Sequence, residues 1–248
     1  MTQSRSAVVW QLVAEHAAAA ERRVSVADVC AVAVRSARVS GAWVTASRDG
    51  GPDFVLCITN PAGEQLAELQ LMLGEGPCFD VLASAAPVLA ADLDGEESGR
   101  RWPGFASQAR QLGAAAVFAF PLTIGVIQAG VLGLYRGTPG PLPAGSFGDG
   151  LLLADAATVL LLDGLLDGAD GAGGPVLDGQ APDLVLHRAE IDQATGMLIV
   201  QLGVPAAEAF VRLRAYAYAQ DRRLADVARD IVARRLRLHN DPDPDVVP

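Results

Sequence analysis

A stretch rich in glycine, aspartate and proline, two thirds of the way along the chain, constrains the fold more than any other feature. Residues 167–183 contain five Gly, two Pro and four Asp, and their only large aliphatic residues are Val176 and Leu177. Such a composition cannot bury a hydrophobic core and is typical of a flexible linker. The sequence therefore predicts two domains, residues 1–166 and 184–239, joined by this linker and followed by a disordered tail at 240–248.

Charge is distributed unevenly between the two parts. Residues 1–186 hold 10 Arg and 20 acidic residues, a net charge of −10, whereas residues 187–240 hold 9 Arg and 6 acidic residues, a net charge of +3. This asymmetry indicates two domains with different partners. The apolar share of 51% excludes a mainly disordered chain.

Hydrophobic periodicity predicts a mixture of helices and strands in the first part. Helical spacing occurs at residues 7–20, 26–37, 65–73, 79–84, 104–112 and 147–166. Strand patterns occur at 42–48, 54–59, 88–91, 115–120 and 126–135. Consecutive strands joined by tight turns, with helices at the ends, favour an antiparallel sheet covered on one face.

One apolar segment is long enough to suggest a membrane span. Residues 111–135 form a run of 25 residues without a charge. Pro121 and several glycines divide this run, so two buried strands explain it better than one spanning helix. At the N-terminus, Glu15 and His16 interrupt the apolar stretch that a signal peptide would need. We therefore expect a cytoplasmic protein with no membrane segment.

The second part reads as three short amphipathic helices. Helical spacing covers residues 184–202 and 206–219, with Gly203 as a C-terminal stop and Pro205 in the next first turn. Asp221 is predicted to cap a third helix. Three such helices form a small bundle, so the whole chain is predicted to be α+β.

Arginines are concentrated in this second part. Residues 210–237 hold 8 Arg and 3 Asp, interleaved with Tyr216 and Tyr218. Arginine pairs with phosphate and stacks on bases, and tyrosine stacks on unpaired bases. The predicted nucleic-acid contacts are Arg212, Arg214, Arg222, Arg223, Arg229 and Arg234. The alternative is a solvated face of local ion pairs, in which Asp226 and Asp230 partly neutralise Arg229.

Motifs for catalysis, metal binding or phosphate binding are absent from the sequence. No Cys or His pair has metal-ligand spacing, so we expect neither a metal nor a cofactor. Three cysteines leave one over from any pairing, and they do not suggest a disulfide framework. Cys78 is interpreted as a small residue at a helix start, or as a thiol activated there. Trp102 is interpreted as an aromatic plug on a loop, or as the wall of a ligand pocket.

The second part contains a series of short motifs: Ile-Asp-Gln-Ala-Thr-Gly-Met-Leu at 191–198, Glu-Ala-Phe at 208–210, Leu-Arg at 213–214, Ala217 and Asp-Val-Ala at 226–228. They give this part a resemblance to the ANTAR domain, a family of bacterial three-helix modules that bind RNA in transcription antitermination. It implies recognition of paired stem-loops that compete with a terminator hairpin. Ala194 and Gly196 of this motif are placed in the RNA-binding set; the alternative is that these small residues serve close helix packing alone. Many members have a basic residue where this chain has Thr195, which implies weaker binding here.

The first part contains another series of motifs: Gly-Glu-Gly-Pro-Cys at 74–78, Asp-Leu at 92–93, Arg-Trp-Pro at 101–103, Gly113, Pro-Leu at 121–122 and Gly-Leu-Tyr at 133–135. They give this part a resemblance to the GAF domain that precedes ANTAR in actinobacterial regulators. It implies an antiparallel sheet of about six strands flanked by helices, used for sensing or dimerisation. Because the pocket strands have few polar residues, any GAF ligand would be small and apolar, or there is none. Cys78 and Trp102 are the candidate contacts.

The leading hypothesis is therefore a cytoplasmic, homodimeric RNA-binding regulator with an N-terminal GAF-type domain, and not an enzyme. One alternative is a GAF-based signalling adaptor that binds a protein partner and has no nucleic-acid role. A second is an enzyme that reduces free methionine sulfoxide through Cys57 or Cys78, although no close cysteine pair supports it. A third is a helix-turn-helix protein that binds double-stranded DNA, although the tight Gly turn of that motif is missing.

Overall fold

The computed structural model describes residues 4–48, 51–169 and 182–239. The chain divides into two compact units, with the division between residues 181 and 182. This division falls inside the predicted linker, whose residues 170–181 lie outside the described residues, as does the tail from residue 240. The flexibility predicted for the linker and the tail therefore stays a prediction.

The first unit contains seven helices and five strands in its described residues. The helices are α1 (Arg5–Ala19), α2 (Val26–Ala37), α3 (Pro61–Leu73), α4 (Pro77–Ser84), α5 (Glu96–Arg101), α6 (Pro103–Gln111) and α7 (Ser146–Ala169). The strands are β1 (Gly41–Arg48), β2 (Gly51–Ile58), β3 (Val88–Ala90), β4 (Ala116–Ile124) and β5 (Ile127–Arg136). The sequence missed α5, a helix of 6 residues too short to show periodicity.

The strands form one antiparallel sheet in the order β2-β1-β5-β4-β3. This is the antiparallel sheet with flanking helices that the first part predicted, with five described strands against about six expected. The α+β class is confirmed. In β4, Pro121 pairs with Val131 of β5 and lies beyond the last residue paired with β3. Its missing N–H therefore removes no bond to β3, which explains why the strand continues past a proline.

Both faces of the sheet are covered, so the prediction of one covered face was wrong. On one face, α1, α2 and α7 pack on alternate residues such as Val44, Phe118 and Leu134. On the other face, α3, α4 and α6 pack on the residues in between, such as Trp43 and Val117. Because consecutive residues of β4 and β5 are apolar, neither face of these strands can be left in water.

The uncharged run at 111–135 forms the hairpin of β4 and β5, as predicted. No single helix in the described parts of the chain is both long enough and apolar enough to cross a membrane.

Two details of the first unit correct the sequence analysis. Cys30 of α2 and Cys57 of β2 are joined by a disulfide across 27 residues of sequence, although no disulfide was expected. Packing of α2 against the sheet brings the two positions together, and no spacing rule reveals such a contact. The strand predicted at 54–59 begins three residues earlier, because β2 spans Gly51–Ile58.

The second unit is the predicted three-helix bundle, formed by α8 (Pro182–Leu202), α9 (Ala206–Ala219) and α10 (Leu224–Val232). Gly203 ends α8 in the left-handed conformation with φ 66°, as a C-terminal stop should. The core of the bundle consists of fully buried side chains, among them Leu198, Leu213, Leu224, Val227 and Ala228. Asp221 does not cap α10: it has φ 49° in the preceding turn, and Arg223 occupies the N-cap position.

Candidate nucleic-acid interface

Ala194 and Gly196 lie on different sides of α8. They are two residues apart, which separates them by about 200° around the helix axis. Ala194 is fully buried in the core of the bundle. Gly196 is exposed, and a Cβ added there would meet no atom within 4 Å. The placement of Ala194 therefore argues against its direct contact with RNA, whereas Gly196 leaves the helix backbone open to a close approach.

Two arginines share the carboxylate of Asp230. Arg222 lies in the turn before α10, and its Nη2 is 2.6 Å from Asp230 Oδ2. Arg235 lies just after α10, and its Nε and Nη2 are 2.8 Å and 2.7 Å from Asp230 Oδ1. The hydrogen bond from Arg222 is the largest cause that lowers the pKa of Asp230 below its ordinary value, and Arg235 adds to it. Three ionised groups thus combine to a net charge of +1.

Arg229 is held by two acids instead. Its Nε is 3.1 Å from Glu190 Oε1 on α8, and its Nη1 is 3.0 Å from Asp226 Oδ1. The hydrogen bond and charge of Glu190 raise the pKa of Arg229 most. Since this group carries a net charge of −1, Arg229 joins α8 to α10 and is poorly placed to attract phosphate. This supports the local ion-pair interpretation for Arg229, but through Glu190 and Asp226. Asp230, the other acid expected to neutralise Arg229, pairs with Arg222 and Arg235 instead.

The arginines of α9 are also engaged. Arg212 Nη2 is 2.6 Å from Glu208 Oε1, one helical turn earlier. The guanidinium of Arg214 lies over the ring of Phe210, at 5.7 Å from its centroid. Burial lowers the pKa of Arg214. Beyond them on the same helix, the ring of Tyr218 is 51% exposed and is available for stacking.

The remaining predicted contacts lie at the two ends of α10. Arg223 is exposed at its N-cap. Arg234 is exposed after its C-terminus, with φ 58°. Arg235 and Arg237, which the predicted set did not contain, are exposed in the same segment. The structure therefore brings part of the predicted set to the turns that flank α10 and assigns Arg229 to an ion pair between helices.

Helical spacing could not predict the pairing of Arg235 with Asp230. Asp230 precedes Arg235 by five residues, and the two meet only because the chain turns back after α10. The backbone N–H groups of Arg235 and Leu236 both donate to the carbonyl oxygen of Asp230. No sequence pattern predicts this turn.

Cys78 of the first unit is buried in the core between the sheet and helices α3, α4 and α6. The residue is 1% exposed, and burial raises the pKa of its thiol to about 12. Its backbone N–H donates to Gln70 Oε1 at 2.8 Å. Cys57 is paired with Cys30. Neither Cys57 nor Cys78 therefore offers a thiolate to a substrate.

Trp102 is buried as well, at 3% exposure, and its Nε1–H donates to Asp80 Oδ2 at 3.0 Å. Arg101 Nε donates to the same oxygen at 2.5 Å. This is the predicted aromatic plug, fixed by a carboxylate. The alternative role of Trp102 as a ligand contact stays a prediction.

The Gly-Glu-Gly-Pro-Cys motif at 74–78 is explained by helix capping. Glu75 Oε1 accepts hydrogen bonds from the backbone N–H groups of Gly104 and Phe105, each at 2.7 Å. A carboxylate thus occupies the N-terminus of α6, where an anion is favoured. Elsewhere in the first unit, Thr45 of β1 is buried at 4% exposure. Its hydroxyl has no hydrogen-bond partner among the described residues.

Comparison with known proteins gives one family match. Residues 183–232 match the model of the ANTAR domain. No curated protein matches the chain significantly.

Solved structures resemble part of the chain. One is the GAF domain of a phosphoenolpyruvate-protein phosphotransferase from Acinetobacter, with 12% identity, a TM-score of 0.48, and coverage of 68% of this chain and 99% of that chain. Another is the GAF domain of a phosphoenolpyruvate-protein phosphotransferase from Coxiella burnetii, with 15% identity, a TM-score of 0.48, and coverage of 67% and 99%.

Proposed function

We propose that this protein is an RNA-binding transcription regulator of the antiterminator type, acting through its C-terminal bundle. The match of residues 183–232 to the ANTAR domain carries the proposal. The turns that flank α10 support it, because their arginines outnumber the acids that pair with them. Arg222 and Arg235, for example, share the single carboxylate of Asp230. The proposed ligand is paired RNA stem-loops.

Recognition would combine electrostatics with shape. Arginines at the turns bind loop phosphates, the exposed backbone at Gly196 allows close approach, and Tyr218 stacks on an unpaired base. One such module with modest charge binds weakly. A homodimer that presents two bundles to two stem-loops gains affinity from the second contact, which occurs at high effective concentration.

We propose that the N-terminal unit senses a small molecule or forms the dimer, in the cytoplasm. The hydroxyl of Thr45 on β1, buried without a described partner, supports a polar ligand atom or water beside this strand. A ligand there would be small, because the surrounding side chains, such as Trp43, are packed and buried.

The direct test is to crosslink the protein to RNA in its own host at moderate salt and to sequence what is recovered. We expect enrichment of tandem stem-loops near terminators. The matched control is the variant with Arg222→Ala and Arg223→Ala. Enrichment equal to that of the control would contradict the proposal.

The same double variant makes a quantitative prediction in solution. Loss of two phosphate contacts should weaken RNA binding and lower the slope of log affinity against log salt by about 2. Arg100→Ala with Arg110→Ala removes the same charge from the first unit and should leave the slope unchanged. Equal slopes for the two double variants would remove Arg222 and Arg223 from the interface.

A protein-binding adaptor is the second candidate function. It is favoured by the tip of the β4–β5 hairpin, where Val126 is 99% exposed and Ile127 is 62% exposed. Exposed apolar side chains of this kind suit contact with a partner protein. Val126→Ser with Ile127→Ser would then abolish capture of that partner, and the wild-type chain would bind no RNA.

A further inference from the structure

Asp230 and its two arginines form a group that the proposed function leaves unexplained. Asp230 lies on α10, Arg222 precedes the helix, and Arg235 follows it. An acidic residue in the middle of a basic surface lowers its charge and should weaken attraction to phosphate. Yet the carboxylate of Asp230 has a defined position, because each of its oxygens accepts a hydrogen bond from a different arginine.

We propose that Asp230 is a positioning residue that holds Arg222 and Arg235 as a fork for one RNA phosphate. The proposal rests on the proposed function and deepens it. It adds Arg235 to the phosphate-binding residues and assigns a role to an acid that makes no contact with RNA itself. Arg222, Asp230 and Arg235 are called the arginine fork below.

The hydrogen bonds leave donors on both arginines. Asp230 engages Nη2 of Arg222, and it engages Nε and Nη2 of Arg235. A guanidinium has five N–H groups, so each arginine has further donors directed away from the carboxylate. The side chains are 38% and 59% exposed, and Asp230 is 24% exposed. Phosphate therefore has access to the arginines and less access to the acid.

Fixing the arginines favours phosphate binding. An arginine loses rotamer freedom when it binds, and one held by a carboxylate has already lost part of it. Guanidinium groups also match the geometry of phosphate oxygens. The fork keeps a net charge of +1, so attraction to phosphate survives the presence of Asp230.

The second ion-pair group on the same helix supplies the contrast. Arg229 lies between Glu190 and Asp226, so that group has a net charge of −1. It joins α10 to α8. The structure thus holds two acid-arginine groups of opposite net charge, and only the arginine fork suits an anion.

The test relies on the direction in which RNA affinity changes when one negative charge is removed. Asp230→Asn removes one negative charge, so long-range attraction alone would tighten RNA binding. If Asp230 positions the fork, its loss should instead weaken binding about threefold or more. Asp226→Asn changes the charge equally on the same helix but leaves the fork intact, so its binding should be unchanged or slightly tighter.

The measurement is a titration of the full chain with a synthetic RNA of two tandem hairpins, at several salt concentrations. A single-stranded RNA of the same length is the comparison. Arg235→Ala should weaken binding of the hairpin RNA about fivefold to tenfold and lower the salt slope by about 1, whereas Arg229→Ala should leave the slope unchanged. Thermal unfolding of each variant identifies any that has lost the bundle.

A second readout remains informative if Asp230→Asn unfolds. In the wild-type chain, the arginine side-chain N–H signals of Arg222 and Arg235 should shift in NMR spectra when the hairpin RNA is added, while that of Arg229 should not. Tighter binding by Asp230→Asn in a folded protein, or unmoved signals of the fork in the presence of bound RNA, would overturn the inference. Absence of any RNA binding by the wild-type chain would instead overturn the proposed function, and the fork with it.

Discussion

Asp28 shows how a single charged residue can be buried at little cost. Its side chain is fully buried at the start of α2, where its oxygens accept from Arg22, Ser25 and His16. Burial alone would raise the pKa of Asp28. The hydrogen bonds from His16 and Ser25 and the charge of Arg22 together lower that pKa below its ordinary value.

The first prediction concerns the pH dependence that follows. A carboxyl group with a lowered pKa in the folded state stabilises the protein above about pH 4, the ordinary value for Asp. That stabilisation is lost as the pH falls through the folded pKa. Asp28→Asn should therefore destabilise the first unit by about 2–4 kcal/mol at neutral pH and flatten its stability profile at acidic pH. Urea unfolding at a series of pH values measures both.

The exposed Asp155 is the control for this prediction. Asp155→Asn should change neither the stability at neutral pH nor the acidic profile. An Asp28→Asn variant whose stability falls with acid as steeply as that of the wild type would show that other groups dominate.

The second prediction separates stability from function at Gly196. Nothing lies within 4 Å of a Cβ added there, so Gly196→Ala should stabilise α8 by about 1 kcal/mol. If RNA approaches the backbone at this position, the added methyl group should weaken RNA binding. Thermal unfolding and RNA titration should thus change in opposite senses.

Gly164→Ala on α7 serves as the control, because it also meets no atom within 4 Å. It should gain stability with unchanged RNA affinity. A Gly196→Ala variant that is more stable and binds RNA normally would remove Gly196 from the interface.

At the scale of elements, α7 illustrates why a glycine can be required at one position and dispensable two residues away. A Cβ on Gly150 would collide with the ring of Phe120, which is fully buried in β4. A Cβ on Gly148 would meet no atom within 4 Å. Of these two glycines, only Gly150 is required for the close approach of α7 to the sheet.

The third prediction tests this packing. Gly150→Ala should destabilise the first unit by about 1–3 kcal/mol, since a buried ring has no space to move. Gly148→Ala should be neutral or stabilise it by up to about 1 kcal/mol through helix propensity. Chemical unfolding followed by tryptophan fluorescence measures both, and equal effects would show that α7 does not pack as described.

At the scale of the whole molecule, the two units have separate cores. All three tryptophans, Trp10, Trp43 and Trp102, lie in the first unit. Their fluorescence therefore reports on the first unit, whereas far-ultraviolet circular dichroism reports on the helices of both.

The fourth prediction uses this difference. Leu213 is fully buried in the bundle, and Leu213→Ala should destabilise the bundle by about 2–5 kcal/mol. The circular dichroism of the variant should show an earlier loss of helix, while its fluorescence transition stays at the wild-type position. A matching shift in fluorescence would mean that the two units unfold together.

Local patterns were enough to predict several elements with their bounds. The periodicity at 26–37 and 206–219 coincides with α2 and α9. The uncharged run at 111–135 was correctly assigned to two strands, because Pro121 and Gly125 are incompatible with a continuous helix. Such elements depend on neighbouring residues, which the sequence displays directly.

The sequence by itself determined the α+β class, the division into two units and the basic character of the second, since composition and periodicity are local properties. Only the tertiary structure decided which arginines are neutralised and which face outward. Glu190 meets Arg229 from 39 residues away, and Asp230 meets Arg222 across eight and Arg235 across five. These partners depend on how helices pack and where the chain turns, and no sequence spacing encodes that.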